Sequence, residues 1–314
     1  MNSDDFTDED YEDQLIEMLW PNTLEKIFVV ILTTMMLVGV IGNTMVVFAV
    51  ATNKSMRNPL NIVLTNLAVA DLLILMFCLP PTIITDVTKT FWFSNFACKT
   101  IVFIQNTTIY ASVLSLVYIS CERYRAIVYP LKAPLMSTKY VIPAVWWIAM
   151  MLSIPEPITL NWEAVQFQRE NFTTVWGSQC KETWSDDFQK KYQVTQTVCS
   201  YVLPLIVITI LCFQMMRKLK DSKLVGANRQ VSGRKKAVRM LCGVVFLFAF
   251  SNLPVHLYNI AVAYHLLDVS DDVDLNFVAF RKLLPRVFSY SSSCLNPILY
   301  SFLSGKFNIY CTWV

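Results

Sequence analysis

Residues 97–125 read ACKTIVFIQNTTIYASVLSLVYISCERYR, with no charged side chain between Lys99 and Glu122. A helix rises about 1.5 Å per residue, so about 20 such residues cross the hydrocarbon core of a bilayer. Six further predominantly apolar segments are found: Leu24 to Ala51, Leu60 to Asp86, Tyr140 to Leu160, Lys191 to Met216, Arg234 to Tyr264 and Arg281 to Phe302. The chain has 314 residues, 55 % of them hydrophobic and only 16 % charged, and its mean hydropathy is +0.46. That composition is too apolar for a soluble domain, and the bilayer is the solvent that accommodates it. The expected fold is an all-α membrane protein, a seven-transmembrane helix bundle. Residues 1–23 read as an acidic disordered tail, 24–304 as the seven-span domain and 305–314 as a short tail.

Charge between the spans gives the orientation, because cytoplasmic loops collect Lys and Arg. Arg217, Lys218, Lys220, Lys223, Arg229, Arg234, Lys235, Lys236 and Arg239 crowd the connection between the fifth and sixth spans. The acidic start, Asp4 to Glu17, and the loop with Asp268, Asp271, Asp272 and Asp274 fall on the other side. The expectation is a multi-pass plasma-membrane protein with its N-terminus extracellular. The formal net charge of +3 is then a membrane asymmetry and not a nucleic-acid footprint. The start shows no charged-then-apolar signal peptide. The nine cysteines have no zinc-like spacing. Asn171-Phe172-Thr173 is a glycosylation sequon on the predicted outer side. Asp71 lies mid-span, where an ionised carboxylate is costly without a cation or polar partners, which marks it as a functional position.

Glu122-Arg123-Tyr124 ends the third span and Asn296-Pro297-Ile298-Leu299-Tyr300 closes the seventh. Their placement on the predicted cytoplasmic side resembles the rhodopsin-like (class A) G-protein-coupled receptors. The resemblance implies that Arg123, held by Glu122, leaves that partner to meet a protein inside. It also implies that Pro254 and Pro297 act as hinges, since each removes a backbone donor from an apolar helix. A Cys98 to Cys180 disulfide is expected on the same ground. So is an internal sodium site at Asp71, Ser112, Ser292, Ser293 and Asn296, with Asn43 nearby. No other cofactor and no catalytic residue is expected. Gln105 stands where amine receptors carry aspartate, and Tyr290 where opsins carry their retinal lysine; neither a monoamine nor retinal is expected.

The segment Pro81-Thr82-Ile83-Ile84-Thr85-Asp86-Val87-Thr88, followed by Phe91-Trp92-Phe93, is similar to orexin and allatotropin receptors. That similarity implies a polar peptide pocket at Asp86, Gln105, Glu156, Tyr192, Asn259, Arg286 and Tyr290. Four positions depart from it: Glu156 replaces a glutamine, Arg286 a histidine, Asn252 the bulky aromatic before Pro254, and Cys212 a tyrosine. The residues after Phe307 leave room only for a short, truncated eighth helix. The implied function is a receptor, not an enzyme, that couples a secreted neuropeptide to a heterotrimeric G protein, with arrestin and membrane lipid as further partners. An atypical receptor, constitutive or decoy, is the alternative. A polytopic transporter is disfavoured because no internal repeat is evident.

Overall fold

The computed structural model describes residues 7–129, 136–164, 172–221, 229–267 and 274–303, with the side chains of 221, 229–234, 237 and 300–303 outside the description. Six helices among the described residues are long and apolar enough to cross a membrane: Thr23–Thr52, Pro59–Thr88, Asn95–Val128, Thr138–Thr159, Asp186–Lys220 and Val238–Ala263. The helix of the sixth span begins earlier, at Arg229. The seventh span, Leu275–Leu303, is less apolar because it carries Arg281, Lys282, Arg286 and the serines 289 and 291–293. Those polar groups face the interior chemistry described below. The third span is central, packing against the second, fourth, fifth and sixth, while the seventh packs between the first and sixth.

Most helices overrun their apolar cores because local capping extends them. Ser94 accepts from the amide of Ala97 at 3.3 Å and starts the third span before the apolar run, satisfying one of the orphan donors of a helix start. Asp186 and Asp187 occupy the first turn of the fifth, where negative charge complements the helix dipole. Two spans widen into a π turn just before proline: Ile74–Cys78 ahead of Pro80-Pro81, and Val198–Val202 ahead of Pro204. Proline lacks the N–H that would continue the ladder and its ring crowds the preceding turn, so the backbone opens there. Pro143, Pro254, Pro285 and Pro297 also lie inside helices; Pro143 and Pro285 were not among the expected bends.

Large apolar side chains such as Val30, Ile41, Phe48, Trp147, Phe213 and Phe246 point outward, as they do when lipid is the solvent. Inside, the first span approaches its neighbours through glycine. A Cβ on Gly39 would sit 2.6 Å from Leu75 Cδ1 and 3.0 Å from Cys294 Sγ, and one on Gly42 would sit 3.1 Å from Pro297. Gly39→Val is therefore expected to lower the thermal stability of the detergent-solubilised protein by the equivalent of about 1–3 kcal/mol, the usual cost of overpacking. An unchanged melting temperature would refute this close packing.

The acidic start departs from the disordered tail expected of residues 1–23. Asp8–Leu19 is a helix, begun by a capping box in which Thr7 and Asp10 satisfy each other's backbone amides. Asp8, Glu9 and Asp10 fill its first turn, where the dipole favours acids. Buried Leu15 and the ring of Tyr11 on Phe172, with centroids 5.0 Å apart, hold the helix to the bundle. Lys89 joins it at the far end, donating to the carbonyl of Leu19 and pairing with Glu25 at 3.3 Å. Among the described residues the only sheet is an antiparallel hairpin, β1 (Leu160–Glu163) with β2 (Gln179–Glu182), in which Trp162 faces Cys180. The expected eighth helix and the tail 305–314 lie outside the described residues.

Candidate functional site

The hairpin sets one end of the bundle. Cys180 on β2 is bonded to Cys98 in the first turn of the third span, with the two Cα atoms 5.7 Å apart. Trp162 Nε1 donates to the carbonyl of Phe91 at 3.2 Å, and the amide of Gly177 donates to Thr90 Oγ1 at 2.9 Å. Gly177, at φ 77°, adopts the left-handed turn that brings this strand back over the helices. Closing a loop of 82 residues is worth about 4.5 kcal/mol in the chain-entropy account. Cys180→Ser is expected to remove most correctly folded protein from the cell surface, as read by surface labelling; normal surface levels would show the hairpin to be held by its hydrogen bonds alone.

Beneath the hairpin lies a cavity of about 320 Å³, lined by the third, fifth, sixth and seventh spans, β2 and Glu156. Of the pocket residues expected from the sequence, Gln105, Glu156 and Asn259 line it. Asn106 Nδ2 donates to Glu156 Oε2 at 2.6 Å. Tyr192 lies on the outer part of the fifth span with its ring 4.5 Å from that of Trp184. Asp86, Arg286 and Tyr290 belong to a neighbouring cluster between the second and seventh spans. Asp86 is buried and meets Arg286 Nε at 2.8 Å and Lys282 Nζ at 3.1 Å. Tyr290 is buried against Leu32, Leu75 and Leu79, its hydroxyl 3.5 Å from that of Thr82. Sequence reasoning missed Lys282, Glu182, Gln189, Gln193, Gln196 and His256; Glu182 and His256 had a legible signal, being polar groups close to Cys180 and Pro254.

Below this cavity is a smaller one of about 50 Å³ that gathers all five residues expected around Asp71: Asp71 itself, Ser112, Ser292, Ser293 and Asn296. Asn296 Nδ2 donates to Asp71 Oδ2 at 3.0 Å. Asn43 donates to the carbonyls of Gly39 and Ser293 at 2.9 and 2.8 Å, tying the first span to the seventh. A second polar node was not anticipated. Asn66 donates to Ser115 Oγ at 3.0 Å and accepts from Trp146 Nε1 at 2.7 Å, joining the second, third and fourth spans. Ile109, Asn252 and Ser289 line both cavities, so they form the wall between them. Asn252 donates to the carbonyl of Phe248 at 2.9 Å, one turn before Pro254.

At the opposite end of the third span, Arg123 Nη2 meets Glu122 Oε2 at 2.9 Å, with both side chains partly exposed. Arg123 Nε is buried with no hydrogen-bond partner among the described residues. Tyr124 sets its ring edge to that of Tyr129, centroids 6.2 Å apart. The pair joins neighbouring residues at a helix end and both side chains stay in contact with water, so a protein partner with acceptors of its own can compete for Arg123. Pro297 packs on the first span near Gly42. Tyr300 is in the helix, but its side chain, like Arg234 and the Asn171 sequon, lies outside the described residues.

A seven-helix membrane bundle with a disulfide-tethered hairpin over a polar cavity at one end, and an arginine held by a weak pair at the other, is the architecture of a membrane receptor. The chain belongs to the rhodopsin family of seven-transmembrane receptors: the model described as "7 transmembrane receptor (rhodopsin family)" matches residues 42–300. It is 32 % identical to an allatostatin-A receptor of Bombyx mori over 281 residues, covering 87 % of this chain and 75 % of that protein. It is 29 % identical to a QRFP-like peptide receptor of Branchiostoma floridae over 298 residues, covering 91 % and 75 %. Both relatives are named as receptors, and the second as a peptide receptor, the group expected from the sequence.

Proposed function

We propose that the protein is a plasma-membrane receptor, its N-terminus outside, that binds a secreted neuropeptide and activates a heterotrimeric G protein. The observation that carries this reading is the sharing of Ile109, Asn252 and Ser289 by the outer cavity and the Asp71 cavity. A peptide that moves this wall alters the packing between the third, sixth and seventh spans, and only a difference in affinity between two arrangements can shift their populations. The name of the Branchiostoma floridae relative, a peptide receptor, supports the ligand class. Arrestin and anionic lipid are further expected partners of the basic inner face around Lys235, Lys236 and Arg239.

The residues around Asp71 fit a sodium ion: a buried carboxylate and three serine hydroxyls supply hard oxygen donors around a space of about 50 Å³, and no Lys or Arg pairs with Asp71 among the described residues. Bound there, the ion would neutralise the carboxylate and favour the resting arrangement.

Cells expressing the chain, stimulated with a panel of amidated neuropeptides and read by calcium and cyclic AMP, test the proposal. A response lost in both Gln105→Ala and Arg123→Ala supports a peptide receptor working through this cavity and this switch. Asn252 favours one other reading, a receptor that signals without ligand, because an amide in place of a large ring leaves the wall thin. High basal signalling with silence across the panel would establish that alternative.

A further inference from the structure

The outer cavity is chemically one-sided. Glu156 and Glu182 line it together with Gln105, Gln189, Gln193 and Gln196, and no Lys or Arg is among its lining residues. Each carboxylate has a neutral donor: Asn106 Nδ2 at 2.6 Å for Glu156 and Trp184 Nε1 at 2.6 Å for Glu182. Neither forms an ion pair among the described residues. Asp86, at the neighbouring cluster, is the contrasting case, because the chain itself supplies two cations to one carboxylate there. Both carboxylates are half-buried, and a half-buried carboxylate with no cation beside it gains Coulomb energy from a cationic ligand group that enters the cavity and excludes the remaining water.

The way in has the same sign. On the helix Asp8–Leu19, Glu9, Asp13 and Glu17 are exposed and recur every fourth residue, so they form one acidic stripe. The helix is docked to the disulfide end by Thr174, whose hydroxyl meets Glu12, and by Lys89. Acidic groups at the same end of the bundle as an acidic cavity raise the local concentration of cations and speed their encounter.

We propose, resting on the peptide-receptor reading, that the outer cavity is a subsite for a cationic side chain of the peptide, an arginine or lysine seated between Glu156 and Glu182. Asp86 is not that acceptor, since Lys282 and Arg286 already leave its surroundings with an excess of positive charge. The amino-terminal helix acts on the encounter and not on the seated complex.

The test uses amidated hexapeptide pools in three matched forms, with arginine, citrulline or leucine at each fixed position, on cells expressing the full chain. Citrulline keeps the shape of arginine and removes its charge. Calcium and cyclic AMP are read for wild type, Glu156→Gln and Glu182→Gln, normalised to surface labelling. The arginine pools are expected to be at least about thirtyfold more potent than the citrulline pools on wild type, the loss typical of removing one partner of a buried charge pair. That ratio should collapse towards one in either variant. The wild-type comparison stands by itself if a variant fails to reach the surface. Citrulline or leucine pools as potent as arginine pools would overturn the cationic subsite while leaving a peptide receptor in place. Silence of every pool, with the protein at the surface, would overturn the peptide reading and the subsite with it.

Discussion

Arg123→Ala is expected to abolish G-protein signalling while leaving surface expression and peptide binding within a few fold of wild type. Arg123 stands on the third span at the far end from the outer cavity, and its described ion-pair partner is Glu122, at 2.9 Å. Glu122 stays in contact with water once the pair is gone, so the fold should survive; what the variant lacks is the cation offered to the G protein. Glu122→Gln tests the other half of the switch. Freed from its partner, Arg123 should populate the partner-seeking arrangement more often, raising basal signalling by up to about fivefold for each kcal/mol removed. Cyclic AMP and calcium recorded without ligand measure that rise. Signalling by Arg123→Ala at wild-type level would remove this arginine from the mechanism.

Asp71→Asn is the second large effect. Asparagine keeps the shape and the acceptor that receives Asn296 Nδ2 at 3.0 Å but removes the buried charge. The fold should therefore survive, since replacing a charge that has no cationic side chain beside it relieves desolvation. Sodium sensitivity should disappear. In wild type, exchanging sodium for a bulky organic cation is expected to raise agonist affinity by about 5- to 150-fold, the usual range of a coupling free energy between two sites. In Asp71→Asn the same exchange should change nothing. Equal sodium responses in the two proteins would locate any ion elsewhere.

Part of the site was legible because an intramembrane carboxylate is costly enough to announce itself, as Asp71 does. Ser112, Ser292, Ser293 and Asn296 were placed around it by resemblance to a family, and the fold brings all five onto one cavity. The Cys98 and Cys180 pairing came from resemblance to a family. The outer pocket was less legible. Asp86, Arg286 and Tyr290 were grouped with Gln105 and Asn259 by resemblance to a family, yet the structure gives the first three a cluster of their own. One-dimensional spacing says which face of a helix a residue occupies, not which neighbouring helix that face meets. Asn66, Ser115 and Trp146 were missed for the same reason, as each is unremarkable until three spans converge.

The amino-terminal helix shows the opposite error. Eight acids before Leu19 suggested a solvated coil, but Thr7 and Asp10 formed a capping box and Leu15 found a buried place. Net charge describes how a segment meets water, while capping and one buried side chain decide whether it folds.

By itself the sequence determined seven spans, their loop-charge asymmetry and the residues too costly to bury without purpose, because transfer of apolar length and of charge between water and lipid depends on composition alone. Only the tertiary structure decided which acids carry their own cations. Asp86 meets Lys282 and Arg286, whereas among the described residues Glu156 and Glu182 meet only neutral donors. Coulomb energy falls with distance and grows as water is excluded, and both are set by how the helices pack.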